Sequence, residues 1–135
     1  MEVPKVGDAE YKSLNTNPKR ASKDIKMIKP TVSFKENLQL LPSIEYLARI
    51  DLVDQAGTLV ASIENAPGKQ GSLVVYQYLQ HSFGTLDTNA AAHGLDVFAE
   101  HTADAKNRPG AHPNVDRLLE IVDGGSPLEI QLVEA

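Results

Sequence analysis

The chain has 135 residues, which predicts one domain, and it contains no cysteine, which excludes a disulfide framework, a thiolate metal site and a cysteine nucleophile. No apolar run approaches the roughly 20 residues of a membrane-spanning helix, and no secretory signal is evident, so we expect a soluble, cytoplasmic protein. The net charge of −5 divides into +3 for residues 1–30 (7 basic, 4 acidic) and −8 for residues 31–135 (6 basic, 14 acidic), which makes the acidic part a poor surface for nucleic acid.

Residues 1–31 are predicted to form a disordered basic arm. They contain few large apolar side chains, so little burial is available to offset the entropy lost on ordering. Basic residues recur there at every third position, namely Arg20, Lys23, Lys26 and Lys29. This spacing indicates an arm that docks on an acidic protein partner, RNA or an anionic membrane, or that folds back onto its own domain. A solvated extension with no partner is the simpler alternative.

The domain, residues 32–135, is predicted to begin with a short helix and a hairpin. Apolar residues at helical spacing predict a helix over Phe34–Leu41, which the following proline ends. Alternation of apolar and polar residues predicts strands over Tyr46–Val53 and Thr58–Glu64. The turn between them ends in a glycine, so these two strands are expected to pair as an antiparallel hairpin.

Three helices and a last strand are predicted in the second half of the chain. Ser72 and Asp87 are suitable N-cap residues, and Pro113 suits the first position of a helix. The periodicity then predicts helices over Leu73–Phe83, Thr88–Lys106 and Pro113–Val122, and a strand over Leu128–Val133.

These elements predict an α+β fold in which the hairpin and the C-terminal strand form a small antiparallel sheet. Three to four helices would pack on that sheet and bury their apolar stripes. A sheet of this size is expected to leave an edge exposed, which invites pairing with a second copy or a partner chain. Tyr76 and Tyr78 lie on opposite sides of their helix, so we expect one in the core and the other at an interface.

The turn before the third predicted helix is a candidate anion site, made of Gly68, Lys69, Gln70, Gly71 and Ser72. A glycine-containing turn at a helix N-terminus presents free N–H groups and the positive end of the helix dipole, and Lys69 adds a charge. The spacing is not that of a P-loop, in which a Gly-Lys-Ser/Thr run opens the helix. The alternative is an ordinary strand-to-helix turn that needs glycine for its backbone geometry.

The histidines form no recognised zinc pattern. Glu100, His101 and Asp104 lie close enough on a predicted helix to bind a divalent ion with help from His112, although a solvated polar face is the favoured explanation. Ser72 could pair with a histidine as a nucleophile, but the chain has no Gly-x-Ser-x-Gly elbow. We therefore predict no catalytic residue, and the sequence assigns no cofactor.

Several stretches resemble a family of short bacterial proteins known only as a domain of unknown function. They are ENLQLLPSIEYL (36–47), IENAPGKQGSLVVY (63–76), GLDVFAEHTADA (94–105) and HPNVDRLLEI (112–121), of which GKQGSL and FAEHT are the most distinctive. The resemblance implies a self-contained bacterial domain with an added N-terminal arm. It implies no activity and no catalytic residue.

The sequence as a whole favours a small accessory protein that docks on a larger protein complex and has no catalysis of its own. The missing catalytic constellation, the divided charge and the open sheet edge all point to this function. The alternative is a phosphate- or nucleotide-binding module, enzymatic or not, built on the turn at residues 68–72. RNA binding through the basic arm is a third hypothesis.

Overall fold

The computed structural model describes residues 27–135, and the predictions for Arg20, Lys23 and Lys26 therefore lie outside the described residues. Lys29 lies inside them and is exposed. Between residues 27 and 135 the elements are α1 (Phe34–Gln39), β1 (Leu47–Val53), β2 (Leu59–Glu64), α2 (Gln70–Phe83), α3 (Thr88–Phe98), α4 (Glu100–Asn107), α5 (Pro113–Val122) and β3 (Glu129–Glu134). None of these helices has both the length and the apolar character needed to cross a membrane. The predicted α+β class is confirmed.

The sheet has the order β2-β1-β3, and both pairings are antiparallel. The central strand β1 buries Ile50 and Leu52 completely on the side that faces the helices. On the opposite side Arg49 and Asp51 form an ion pair at 3.0 Å, and the Ser62 hydroxyl donates to the Asp51 carboxylate at 2.7 Å. The alternation of β1 therefore gives the sheet one core face and one polar face.

Helix α2 is the central element of the core. It buries apolar and polar side chains all around its circumference, namely Leu73, Val75, Tyr76, Gln77, Tyr78 and Leu79. The prediction that one of its tyrosines would anchor an interface is wrong, because Tyr76 and Tyr78 are both fully buried. The Tyr76 hydroxyl donates to the backbone of α5 at Asn114, and the Tyr78 hydroxyl contacts His93 of α3. Both sides of the helix are covered, so neither tyrosine is left for a partner.

The predicted helix Thr88–Lys106 is divided into α3 and α4 at Ala99, whose φ is 53°. No glycine or proline marks this break, and the Ala99 backbone, with φ 53° and ψ −118°, lies in a sparsely populated region that costs roughly 1–3 kcal/mol for a residue with a Cβ atom. Tertiary partners offset that cost by binding the last carbonyls of α3. The Asn37 amide donates to the Val97 carbonyl at 2.9 Å, and the Thr102 hydroxyl donates to the Leu95 carbonyl at 2.6 Å.

The predicted starts of α3 and α5 are confirmed, and the predicted start of α2 is wrong. Asp87 is the N-cap of α3 and accepts a hydrogen bond from the Ala90 N–H at 2.9 Å. Pro113 is the first residue of α5. Helix α2 begins at Gln70 with Lys69 in the N-cap position, so Ser72 lies within the first turn and is not the cap. The Gly68 turn, with φ 85°, lets the helix start earlier than the apolar pattern indicated.

Candidate functional site

An open pocket of about 710 Å³ lies where the N-termini of α2 and α5 meet. Its polar lining comes from the two helix starts and from two imidazoles, and its apolar lining comes from α1, α3 and α5. No aspartate or glutamate lines it, although residues 31–135 carry a net charge of −8 (6 basic, 14 acidic). The pocket thus combines the predicted anion turn with His101 and His112, which are distant from that turn in sequence.

The side chain of Asn65 anchors the turn that leads into α2. Its amide nitrogen donates to the Leu47 carbonyl at 2.8 Å and to the Ile44 carbonyl at 3.1 Å, so the end of β2 is tied to the start of β1. Its amide oxygen accepts a hydrogen bond from the Gln70 side chain at 3.0 Å. These bonds hold the turn in place without using the backbone N–H groups that line the pocket.

The first turn of α2 leaves backbone donors available. The first hydrogen bond within the helix runs from the Leu73 N–H to the Lys69 carbonyl, and no side chain caps the helix. The N–H groups of Gln70, Gly71 and Ser72 therefore have no acceptor within the helix. Together they carry the partial positive charge of the helix N-terminus.

The apolar wall of the pocket rests directly on this turn. A Cβ atom at Gly71 would lie 3.1 Å from the Phe34 ring, so glycine at this position permits the ring to pack against the backbone. Phe34 also stacks on Phe98 with a centroid distance of 5.3 Å and meets the edge of His101 at 4.8 Å. This wall was not predicted as part of a site, because its contacts join α1, α2, α3 and α4.

A second helix N-terminus, that of α5, also lines the pocket. His112 occupies its N-cap position without a side-chain cap, and its carbonyl accepts hydrogen bonds from Val115 and Asp116 at 3.0 and 2.8 Å. Pro113 has no N–H, so Asn114 supplies the donor of this turn that remains available. The first-turn carboxylate of Asp116 accepts from the Gly110 N–H at 2.9 Å, and it closes the preceding loop by doing so.

The His112 imidazole is oriented by Asp104. Its Nε2 lies 2.6 Å from an Asp104 carboxylate oxygen, and the same carboxylate binds the Arg108 guanidinium. The hydrogen bonds from Arg108 and then from His112 hold the pKa of Asp104 well below its ordinary range. Because Nε2 is occupied by Asp104, Nδ1 is the ring nitrogen of His112 that remains for a ligand. The His101 ring lies beside it at a centroid distance of 5.2 Å.

The four residues proposed as weak metal candidates do not form one ligand set. Asp104 and His112 are in contact, but the Glu100 carboxylate accepts a hydrogen bond from the Phe34 N–H at 2.8 Å and so holds α1. Bonds to its own N–H and to that of Phe34 lower the pKa of Glu100. Within residues 27–135 no group of three or more histidine, aspartate or glutamate side chains is placed to hold a metal ion.

Ser72 lines the same pocket as both imidazoles. No hydrogen bond joins it to His101 or His112 in the part of the chain that the structure describes. The turn at 68–72 and the histidines are therefore neighbours around one cavity, and a nucleophile pair is not formed in this arrangement.

Searches of curated proteins and of solved structures found no match. A family model described as an uncharacterized protein conserved in bacteria, DUF2322, matches residues 34–132, which include the whole pocket and all but the last two residues of β3. The chain therefore belongs to DUF2322, a family of uncharacterized proteins conserved in bacteria.

Proposed function

We propose that this domain binds a small molecule carrying a phosphate or carboxylate group in the pocket between α2 and α5. The observation that carries the proposal is that two helix N-termini, neither capped by a side chain, line one pocket that contains no carboxylate. Each N-terminus contributes a partial positive charge and unpaired N–H donors, which suit an anion. Lys69 adds a full positive charge at the rim.

The rest of the pocket suits a ligand that is only partly polar. A volume of about 710 Å³ falls within the range of small-molecule sites, which are roughly 300–1,000 Å³. The anionic group would bind near the N–H groups of residues 70–72, and an apolar or planar part would lie against Phe34 and Leu38. His101 lines the same pocket and adds a ring N–H donor. A nucleotide or a phosphorylated metabolite has this chemistry, and the role proposed for the pocket is binding without a catalytic step.

This proposal is tested by measuring the binding of anionic ligands to the native chain and to two variants in which one lysine is replaced by glutamate. Inorganic phosphate, nucleotides, sugar phosphates and di- and tricarboxylates are added at millimolar concentration to the full chain, and the unfolding temperature is measured. A ligand at about 100 times its Kd should stabilise the fold by about 2.7 kcal/mol, which raises Tm by several degrees. Lys69→Glu should weaken binding roughly tenfold, because it places a negative charge at the rim.

The control for this screen is Lys106→Glu, which makes the same change in net charge at an exposed residue of α4 that does not line the pocket. It should leave the affinity unchanged. The proposal is wrong if no anion raises Tm, or if the two reversals weaken binding equally, since the second result would indicate a general effect of charge.

Docking on a larger protein complex is the second candidate function, and strand β2 favours it. Among the described strands β2 pairs only with β1, and its Leu59 and Val60 side chains are 57% and 51% exposed. The Asn65 N–H donates to the Ala48 carbonyl, so these two residues form a hydrogen-bonded pair. Such pairs alternate along an antiparallel ladder with pairs that are not hydrogen-bonded, and Ser62 with Asp51 is one of the latter. The N–H and C=O groups of Ser62 therefore point away from β1. The strand contains no lysine or proline that would block a further strand.

The partner that docks on β2 would be a strand of another protein or a second copy of this chain. The basic arm, to which the exposed Lys29 belongs, is proposed as an additional contact with that partner. RNA binding through that arm stays the third and weakest proposal. A bacterial cytoplasmic location is part of the same proposal, because a chain without cysteine suits a reducing compartment.

Docking through β2 predicts that Val60→Lys weakens binding to a partner recovered with the full-length protein by at least tenfold in affinity. The matched control is Val122→Lys, which changes another exposed valine on α5. A second variant replaces Arg20, Lys23, Lys26 and Lys29 by glutamine. Binding that survives Val60→Lys but fails in the arm variant would move the interface to the arm, and binding unaffected by both would contradict docking through either surface.

A further inference from the structure

Residues 27–33, which we name the N-terminal strap, cross the helical side of the domain just before the region matched by the family. The strap is held by a few hydrogen bonds. The Ile28 N–H donates to the Tyr78 hydroxyl at 2.9 Å, and the Thr31 N–H donates to the Asn37 side chain at 2.7 Å. Ile28 is half-buried and packs against the core, whereas Val32 is 91% exposed, so apolar burial reinforces these bonds mainly at Ile28.

The Tyr78 hydroxyl links the bond at Ile28 to a histidine. The Tyr78 hydroxyl lies 2.7 Å from Nε2 of His93. A backbone N–H can only donate, so the Tyr78 oxygen accepts from Ile28 and its own hydrogen is left for His93. That hydrogen has an acceptor in this arrangement when Nε2 accepts it, in a neutral imidazole with its hydrogen on Nδ1. The three groups form a directed chain from Ile28 through Tyr78 to His93.

We propose that this chain is a pH-sensitive tether, in which protonation of His93 at Nε2 releases Ile28 and with it the start of the strap. A protonated Nε2 would donate to Tyr78 as Ile28 does, and the hydroxyl hydrogen would lose its acceptor. Tyr78 is fully buried, so an unsatisfied donor there is unfavourable. Displacement of the strap admits water, which can accept that hydrogen.

The surroundings of His93 set the pH range of the release. Helix α2 places the Tyr78 hydroxyl and the Phe83 ring next to His93. The strap contributes the Ile28 backbone, which is followed in the chain by Lys29. Helix α3 itself carries Asp96, three residues after His93. Burial lowers the pKa of His93, and the Asp96 charge opposes this only in part. The stabilisation from neutral His93 is therefore complete above the unfolded pKa of about 6.5 and is lost as the pH falls through the lower folded value.

Amide hydrogen exchange of the full chain, measured by NMR on ¹⁵N-labelled protein, tests the tether residue by residue. With the intrinsic exchange rate divided out, protection of Ile28 should fall about tenfold between pH 7.5 and pH 5, which corresponds to the loss of one hydrogen bond. Protection of the fully buried Ile50 on β1 should persist at both pH values. In His93→Gln the side-chain carbonyl can accept from Tyr78 without titrating, so protection of Ile28 should not depend on pH.

The tether is wrong if Ile28 keeps the same protection at both pH values in the native chain. It is equally wrong if His93→Gln shows the same fall, which would assign the effect to another group, such as the half-buried His81, whose pKa is also lowered by burial. Tyr78→Phe should lose Ile28 protection at every pH, and persistent protection in that variant would exclude the hydroxyl as the acceptor. If Tyr78→Phe does not fold, the comparison with His93→Gln decides the question alone.

Discussion

The substitution Asn37→Asp is expected to lower the free energy of unfolding at pH 7 by about 3 kcal/mol, because it buries a carboxylate against two carbonyl oxygens. Asn37 is fully buried, and its side-chain nitrogen donates to the Thr31 carbonyl at 3.1 Å and to the Val97 carbonyl at 2.9 Å. The introduced carboxylate has the same shape but no donor. Both carbonyls would lose their partner, and the strap and the end of α3 would be loosened together.

Urea denaturation at two pH values distinguishes this mechanism from a general packing defect. Burial and the neighbouring carbonyls should raise the pKa of the introduced carboxyl in the folded state. Its neutral form can donate to Val97, so stability is retained below the unfolded pKa of about 3.9 and is lost as the pH rises through the folded pKa. The difference from the native chain should therefore shrink between pH 7 and pH 4.

The control for this experiment is Asn89→Asp, the same change at an exposed residue of α3, which should alter stability by less than about 0.5 kcal/mol. A loss at Asn37 no larger than that of the control would show that its hydrogen bonds are replaceable by water. A loss that does not change with pH would contradict the carboxylate mechanism.

The substitution Gly94→Val is expected to destabilise the domain by about 3 kcal/mol through overpacking. A Cβ atom at Gly94 would lie 2.8 Å from Leu79 Cδ1 and 2.9 Å from Leu118 Cδ1, distances at which carbon atoms clash. Both leucines are fully buried, so their side chains can give way only by shifting within the packed core. The better helix propensity of valine returns only a few tenths of a kcal/mol.

Two further variants assign the loss to this contact between helices. Ala92→Val adds the same side chain at an exposed position of the same helix and should be nearly neutral. Leu118→Ala removes one clashing group, so Gly94→Val should cost at least 1 kcal/mol less in that background. Equal losses in the native chain and in Leu118→Ala, measured by chemical denaturation, would contradict overpacking as the cause.

Local chemistry made much of the fold predictable from the sequence. The hairpin follows from alternation and a glycine turn, and the register confirms it by pairing Ile50 with Ile63. The cap at Asp87 and the start at Pro113 need only the neighbouring backbone, so residue type was sufficient to locate them. The division into strands and helices, and hence the α+β class, was predictable for the same reason.

The candidate site was predictable only in part. The turn at residues 68–72 was found because glycine, lysine and a helix start lie together in the sequence. His101 and His112 were noticed as metal candidates, yet their position beside that turn depends on how α4 and α5 pack against α2. Phe34 and Asn114 were missed, since an aromatic residue and a helix-start asparagine carry no signal for a pocket by themselves.

The sequence by itself therefore determined most of the elements, the hairpin pairing of β1 with β2 and the chemical character of the α2 turn, because these depend on contacts between near neighbours in the chain. Only the tertiary structure decided that Ala99 breaks a helix, since the Asn37 bond that helps to satisfy the end of α3 comes from 60 residues away. It also decided that Tyr78 is buried, because a strap and a second helix cover it. The pocket was likewise decided by the tertiary structure, because packing between distant segments brings its two helix N-termini together.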